Sequence, residues 1–171
     1  MRRIILITGG ARSGKSTYAE KLALSLSPNP VYLATARIWD EEFRKRVIHH
    51  QERRGPEWTN IEEDKELSRH SLSGRTVLID CITLWCTNFF FDLDADTRPF
   101  PCRSQSRIRP LYSTGCHIYI CHQRDRYGRH IRKQNTTEVY GYARLDEPVC
   151  GFTADEVILM VSGIATKIKC E

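Results

Sequence analysis

Eight consecutive residues limit what this chain can fold into more than any other part of it. Gly9-Gly10-Ala11-Arg12-Ser13-Gly14-Lys15-Ser16 satisfies G-x-x-x-x-G-K-[ST] in full. The flanks suit the motif. "IILIT" before it is a continuous apolar run with β-branched residues, as a buried parallel strand requires. "STYAEKLALSL" after it places Tyr18 or Ala19, Leu22 and Leu26 at helical spacing. Strand, glycine turn and helix together predict a phosphate cradle. The glycines let backbone N–H groups turn inward, and the new helix adds its positive end. Lys15 would neutralise the β- and γ-phosphates, and the Ser16 hydroxyl would bind Mg²⁺. The alternative is a glycine turn that binds nothing.

A second apolar strand, Val77-Leu78-Ile79, ends in Asp80. In a parallel sheet, a carboxylate at the carboxyl end of a neighbouring strand suits Mg²⁺ coordination. A strand-ending Asp can also simply cap a helix. A third strand, "VYLATA", precedes "DEEFRKRVIHHQERR", which reads as a helix. Asp40, Glu41 and Glu42 favour its N-terminal end and Arg53 and Arg54 its C-terminal end, and Gly55-Pro56 stops it. His49 and His50 sit late on this helix among arginines. They read either as solvated histidines on a polar face, or as a pair holding a nucleophile that attacks phosphorus while arginines hold the oxygens.

These segments resemble a known family. "TGGARSGKS", "VYLATARIWDEEFRKRVIHHQERRGPEWTNIEE" and "LIDCITLWCTN" are similar to the bifunctional adenosylcobinamide kinase / adenosylcobinamide-phosphate guanylyltransferases of cobalamin biosynthesis. The pattern A-T-[SA]-x-[IL]-x-D-[DE]-E followed by R-[IV]-x-H-H-x…W-x-[TN] is far more specific than a phosphate loop. The resemblance runs from about Ile4 to Leu93 and resumes over Ala154 to Lys169.

The resemblance implies a single P-loop NTPase-like α/β domain over residues 1–171, with a doubly wound, mostly parallel sheet. It implies that a nucleoside triphosphate, ATP or GTP with Mg²⁺, phosphorylates the aminopropanol hydroxyl of adenosylcobinamide. GMP then passes from GTP to a histidine and on to the cobinamide phosphate. The matching histidine is His50, with His49 the fallback and Lys15 serving both steps. Nucleotide contacts are implied at Gly9 to Ser16, at Ala34, Thr35 and Ala36, at Gln51, Glu52, Arg53 and Arg54, and at Glu62 and Asp80. Ser16 and Asp80 are the implied metal residues; the family often has Glu at the latter position. A homo-oligomer is implied too. A different P-loop small-molecule kinase, without a covalent histidine, is the competing reading.

Residues 97–153 do not fit. Nine arginines and one lysine against four acidic residues lie between Thr97 and Phe152, so the net +5 of the chain originates there. So do Cys102, Cys116, Cys121 and Cys150, with Cys116-x4-Cys121-His122 a weak metal pattern. Pro99, Pro101 and Pro110 oppose regular structure, and "HIYICH" offers at most a short substitute strand. The segment reads as out of frame. Back-translated from Leu111 with one base dropped, it can be read with "ATFIFVTNE", "GMG" and "NQYVA", which the family has here. Two compensating single-base changes, near Asp96 and near Thr153, would account for it. Its basic charge then says nothing about nucleic acid, and the product could be a catalytically dead nucleotide binder. No apolar run approaches the roughly 20 residues that cross a bilayer. The chain is therefore expected in the cytoplasm, where its cysteines would be free thiols.

Overall fold

Six consecutive buried residues, Ile4–Gly9, form β1 in the computed structural model, which describes residues 3–38, 41–52, 54–92, 117–123, 151 and 153–170. β1 turns through the glycine loop into helix α1, Lys15–Leu26. β2 (Val31–Ala34), α2 (Glu41–Glu52), β3 (Thr59–Glu62), β4 (Thr76–Asp80), α3 (Ile82–Asp92), β5 (His117–Gln123), β6 (Glu156–Val161) and β7 (Ile164–Cys170) follow.

The described strands make one sheet in the order β3-β2-β4-β5-β1-β6-β7. Every pairing is parallel except that of β6 with β7. The period of two along a strand sends alternate residues to opposite faces. Ile4, Leu6, Leu33, Val77 and Ile79 join Trp85 and Phe89 of α3 on one face. Ile5, Ile7, Tyr32 and Leu78 join Ala19 and Ala23 of α1 on the other. Both faces of the sheet centre are covered, which is why β1 and β4 are apolar without alternation.

The expected α/β architecture is thus present, with four differences in detail. Leu26 is about half exposed (51%), because it is the last residue of α1, and Ala19 and Ala23 make the close approach instead. The strand "VYLATA" stops at Ala34. Thr35 turns to the next strand, its amide donating to the Asp80 carbonyl (3.1 Å) and its hydroxyl to the Cys81 carbonyl (2.8 Å). Asp80 does not end a strand adjacent to β1, for β5 lies between β4 and β1. Finally, "HIYICH" is no marginal strand. Within His117–Gln123, residues 118–123 pair with β1 and residues 117–121 with β4, and α1 and α3 both approach the strand. Without a strand there, two central strands would leave rows of backbone groups unpaired. Apart from this strand, Gly151 and Thr153, the segment expected to pack poorly lies outside the described residues, as does Cys116 of the weak metal pattern.

Candidate nucleotide site

The loop between β1 and α1 is held from two sides. Gly9 lies so close to β6 that a Cβ on it would meet the Met160 carbonyl oxygen at 2.5 Å. The β6–β7 turn adds a second brace, the Gly163 amide donating to the Ser13 carbonyl at 3.0 Å. Gly14, at φ 88°, occupies the left-handed region that favours glycine, and the Cα of Gly163 stands 3.4 Å from where its Cβ would be. Arg12, exposed at the loop's tip, also has a positive φ of 58°.

α1 begins with no side-chain cap and no acidic residue in its first turn. Its N-terminal dipole is therefore not offset by a carboxylate of the helix's own first turn. Lys15 is buried, 7% exposed, and its Nζ donates back to the Gly10 carbonyl at 2.9 Å. The buried Ser13 hydroxyl and the Thr8 hydroxyl just before the loop have no hydrogen-bond partner among the described residues. A buried cation, a bare helix terminus and an unsatisfied hydroxyl converging on one loop suit an anion.

Asp80 stands on the far side of β5, level with Ala34 on β2. Two strand spacings, about 10 Å, separate β4 from β1. The next residue reports both charges. Burial pushes the Cys81 thiol up to about 12, the Asp80 carboxylate adds to this, and the Lys15 ammonium acts against it. Thr35, Asp80 and Cys81 meet at the carboxyl end of β4. Asn88 of α3, 1% exposed, braces this end, its amide donating to the carbonyls of Thr35 (2.7 Å) and Asp64 (3.0 Å).

A second group of the expected residues gathers at the end of α2. Gln51 donates to Glu62 at 2.8 Å, tying the helix to the end of β3. Arg54 donates to Asn60 at 2.6 Å, and its guanidinium lies 3.7 Å from the centre of the Tyr32 ring. The hydroxyl of that same Tyr32 donates to Asp80. Ala34 and Ala36 lie half-buried on either side of Thr35, and Glu52 is exposed. The backbone of His49 and His50 lies on α2, but their side chains, and Arg53 altogether, lie outside the described residues.

Beyond Glu62 the chain is locked by Glu63, whose carboxylate accepts from the amides of Lys65 (3.0 Å) and Glu66 (2.9 Å) and faces His70 Nε2 at 3.4 Å. Burial opposes its charge, but those amides and His70 outweigh burial and hold the carboxyl below its usual range.

Sequence reasoning missed Tyr32, Asn88, Met160 and Gly163. An aromatic in a strand and an Asn in a helix carry no mark of their partners. The last two belong to a hairpin far along the chain that folds back on the loop.

A parallel sheet, a glycine loop closing on a buried lysine at a helix start, and a carboxylate on a nearby strand end define a P-loop nucleotide-binding protein. The fold agrees with solved structures. An ATPase of the type III secretion system of pathogenic bacteria superposes with a TM-score of 0.53 at 14% identity, covering 96% of this chain and 56% of that one. The family model described as cobinamide kinase / cobinamide phosphate guanyltransferase matches residues 5–168, and the chain belongs to that family. The bifunctional adenosylcobalamin biosynthesis protein CobU of Escherichia coli K12 is 31% identical over 97% of this chain and 99% of its own. The corresponding protein CobP of Pseudomonas aeruginosa is 44% identical over a shorter stretch, 48% of this chain and 50% of its own.

Proposed function

We propose that this chain is a bifunctional adenosylcobinamide kinase and adenosylcobinamide-phosphate guanylyltransferase, working as one P-loop domain over residues 1–171. The observation that carries the reading is the intact phosphate loop, with Lys15 buried at its closure, in a chain matched by that family over residues 5–168.

In the first reaction, the side-chain hydroxyl of the corrinoid attacks the γ-phosphorus of ATP or GTP. A new P–O bond forms, the β–γ bridge breaks, the nucleoside diphosphate leaves with the electron pair, and the hydroxyl proton is released. Residues Gly9 to Ser16 bind the triphosphate through backbone amides, and Lys15 neutralises charge on the oxygens. Mg²⁺, when bound, supplies further neutralisation of phosphate charge. The Ser16 hydroxyl and the Asp80 carboxylate are the residues that would hold it. Both are hard oxygen donors of the kind Mg²⁺ takes, and both are only partly buried, Ser16 in the first turn of α1 and Asp80 at the end of β4.

In the second reaction, an imidazole nitrogen of His50, or of His49, attacks the α-phosphorus of GTP. A P–N bond forms and pyrophosphate leaves. A phosphate oxygen of adenosylcobinamide phosphate then attacks the same phosphorus, the P–N bond breaks, and the histidine is restored. Gln51, Glu52, Arg53, Arg54 and Glu62, at the end of the same helix and the end of β3, serve the guanine nucleotide together with Ala34, Thr35 and Ala36.

The test is transfer of label from GTP carrying ³²P at the α-position. His50→Ala should abolish the labelled protein and keep triphosphate binding. Loss with His49→Ala instead moves the nucleophile by one residue. A labelled species absent in the wild type would favour the simpler small-molecule kinase. Lys15→Ala should weaken both reactions, and unchanged kinase turnover there would remove the phosphate-loop assignment.

The out-of-frame reading of residues 97–153 places a strand of the same length in the slot between β4 and β1. A strand between β4 and β1 is covered on both faces and is expected to be apolar throughout. The two readings are polar at the same three positions of this strand, His117, His122 and Gln123 against Thr, Thr and Asn, and differ in the centre, Ile-Tyr-Ile-Cys as printed and Phe-Ile-Phe-Val in the shifted frame.

A further inference from the structure

We infer that Tyr32 is a positioning residue for the metal side of the site, linking Asp80 to Arg54 at the end of the histidine-bearing helix. The inference rests on the reading of Asp80 as a metal-holding carboxylate. It adds a residue that neither the motifs nor the family likeness singled out.

Tyr32 is 3% exposed and sits mid-strand in β2, beside Leu78 of β4. Its ring lies in an apolar cluster with Ile5, Ile7 and Trp58, which packs edge-on at 5.7 Å and 80°. Phe would serve that cluster equally well. The hydroxyl is what a Phe lacks, and a buried phenol needs a partner. Its partner is Asp80 Oδ2. One carboxylate oxygen is thereby fixed by a rigid side chain, so the direction of the other is fixed with it. Carboxylates at metal sites depend on such outer contacts for their orientation.

The other end of the link is Arg54. Its guanidinium covers the Tyr32 ring at 3.7 Å and is held there by Asn60 at 2.6 Å. A cation over the ring draws density from the phenol and makes its O–H a better donor. The segment that ends α2, four residues beyond His50, is therefore mechanically and electrostatically tied to Asp80. Each side of the link has its own reason to be in place: Arg54 is braced by β3, and Asp80 by the β4–β2 pairing.

The test is the Mg²⁺ dependence of equilibrium binding of a fluorescent, non-hydrolysable GTP analogue, with thermal melts alongside. Tyr32→Phe keeps the ring, the packing on Trp58 and the seat for Arg54. It is expected to raise the half-saturating Mg²⁺ concentration about tenfold, the low end for lost outer-shell contacts. Binding without Mg²⁺ should stay as in the wild type. Arg54→Gln leaves the hydroxyl and removes the cation, with an expected rise of about two- to threefold. Asp80→Asn is the reference. If it raises the Mg²⁺ requirement and Tyr32→Phe does not, Tyr32 is core packing and the inference fails. If Asp80→Asn itself leaves the Mg²⁺ requirement unchanged, the metal reading of Asp80 fails, and the role of Tyr32 falls with it.

Discussion

Replacing Gly9 by Ala tests why the phosphate loop starts where it does. The loop's first glycine is usually justified by room for phosphate. Here the constraint lies behind the loop. The added methyl would sit 2.5 Å from the Met160 carbonyl oxygen, 2.7 Å from the Ser13 hydroxyl and 3.1 Å from the Met160 Cβ. The Ser13 hydroxyl can rotate away. The Met160 carbonyl cannot, because it belongs to the backbone of β6 where that strand pairs with Gly9. Ordinary contact between carbon atoms lies near 3.5–4.0 Å, so β1 and β6 must separate at the point where the loop leaves the sheet. Overpacking of this kind costs about 1–3 kcal/mol, and a backbone neighbour puts Gly9→Ala at the upper end.

Gly74→Ala is the matched control. Gly74, unlike Gly9, has a conformation that alanine dislikes, φ 72°, but open space around the added methyl. It should lose only the left-handed backbone term, about 1–2 kcal/mol, with triphosphate binding intact. Urea denaturation at constant slope gives the two stabilities, and fluorescent triphosphate titration gives the two affinities. Gly9→Ala should be the less stable variant and should bind triphosphate more weakly. Equal stabilities, or normal binding by Gly9→Ala, would refute the claim that β6 sets the position of the loop.

Two further outcomes are expected. Glu63→Gln should lower stability at pH 7 by about 1 kcal/mol, since a charge-assisted pair of amide bonds is weakened. Because the folded carboxyl is held below its ordinary value of 4.5, its contribution is complete above pH 4.5 and is lost as the pH falls through the lowered value. The gap between wild type and variant in urea melts should therefore close in acid, and a gap that persists there would count against it. Sequencing the coding DNA from about codon 90 to codon 160 should find one base out of place on each side of residues 97–153; confirmation of the printed frame would end that proposal.

What could be read in advance follows a physical division. β1, α1, β2, α2 and β4 announce themselves because their patterns are local: an apolar run, a helical period, a glycine turn, a Gly-Pro stop. The loop residues Gly9 to Ser16 were legible for the same reason. β3 was not, since "TNIE" has a single apolar residue and is recruited by pairing with β2 along the sheet edge. The brace from Met160 and Gly163 was not, since it joins residues about 150 positions apart in sequence, and no local pattern encodes such a meeting. The interposed strand between β4 and β1 was hidden for a third reason. Strand order is a property of the assembled sheet, and the apolar run of the segment that supplies β5 is short, Ile118 to Cys121.

That last point separates the site from the core in a useful way. β5 completes the hydrogen bonding of β1 on one side and β4 on the other, so it holds the phosphate loop and Asp80 in mutual register. This duty falls on backbone groups, which every residue but proline carries in full. "HIYICHQ" and "TFIFVTN" both lack proline, and either can fill the slot. What differs is the make-up of the strand's centre, Ile-Tyr-Ile-Cys against Phe-Ile-Phe-Val, and each methylene that is buried is worth about 0.8 kcal/mol. A change of frame over this strand therefore alters how firmly the sheet is held together far more than where Lys15 and Asp80 stand. A chain carrying the printed frame would keep the backbone geometry that sets the phosphate loop and Asp80 in register.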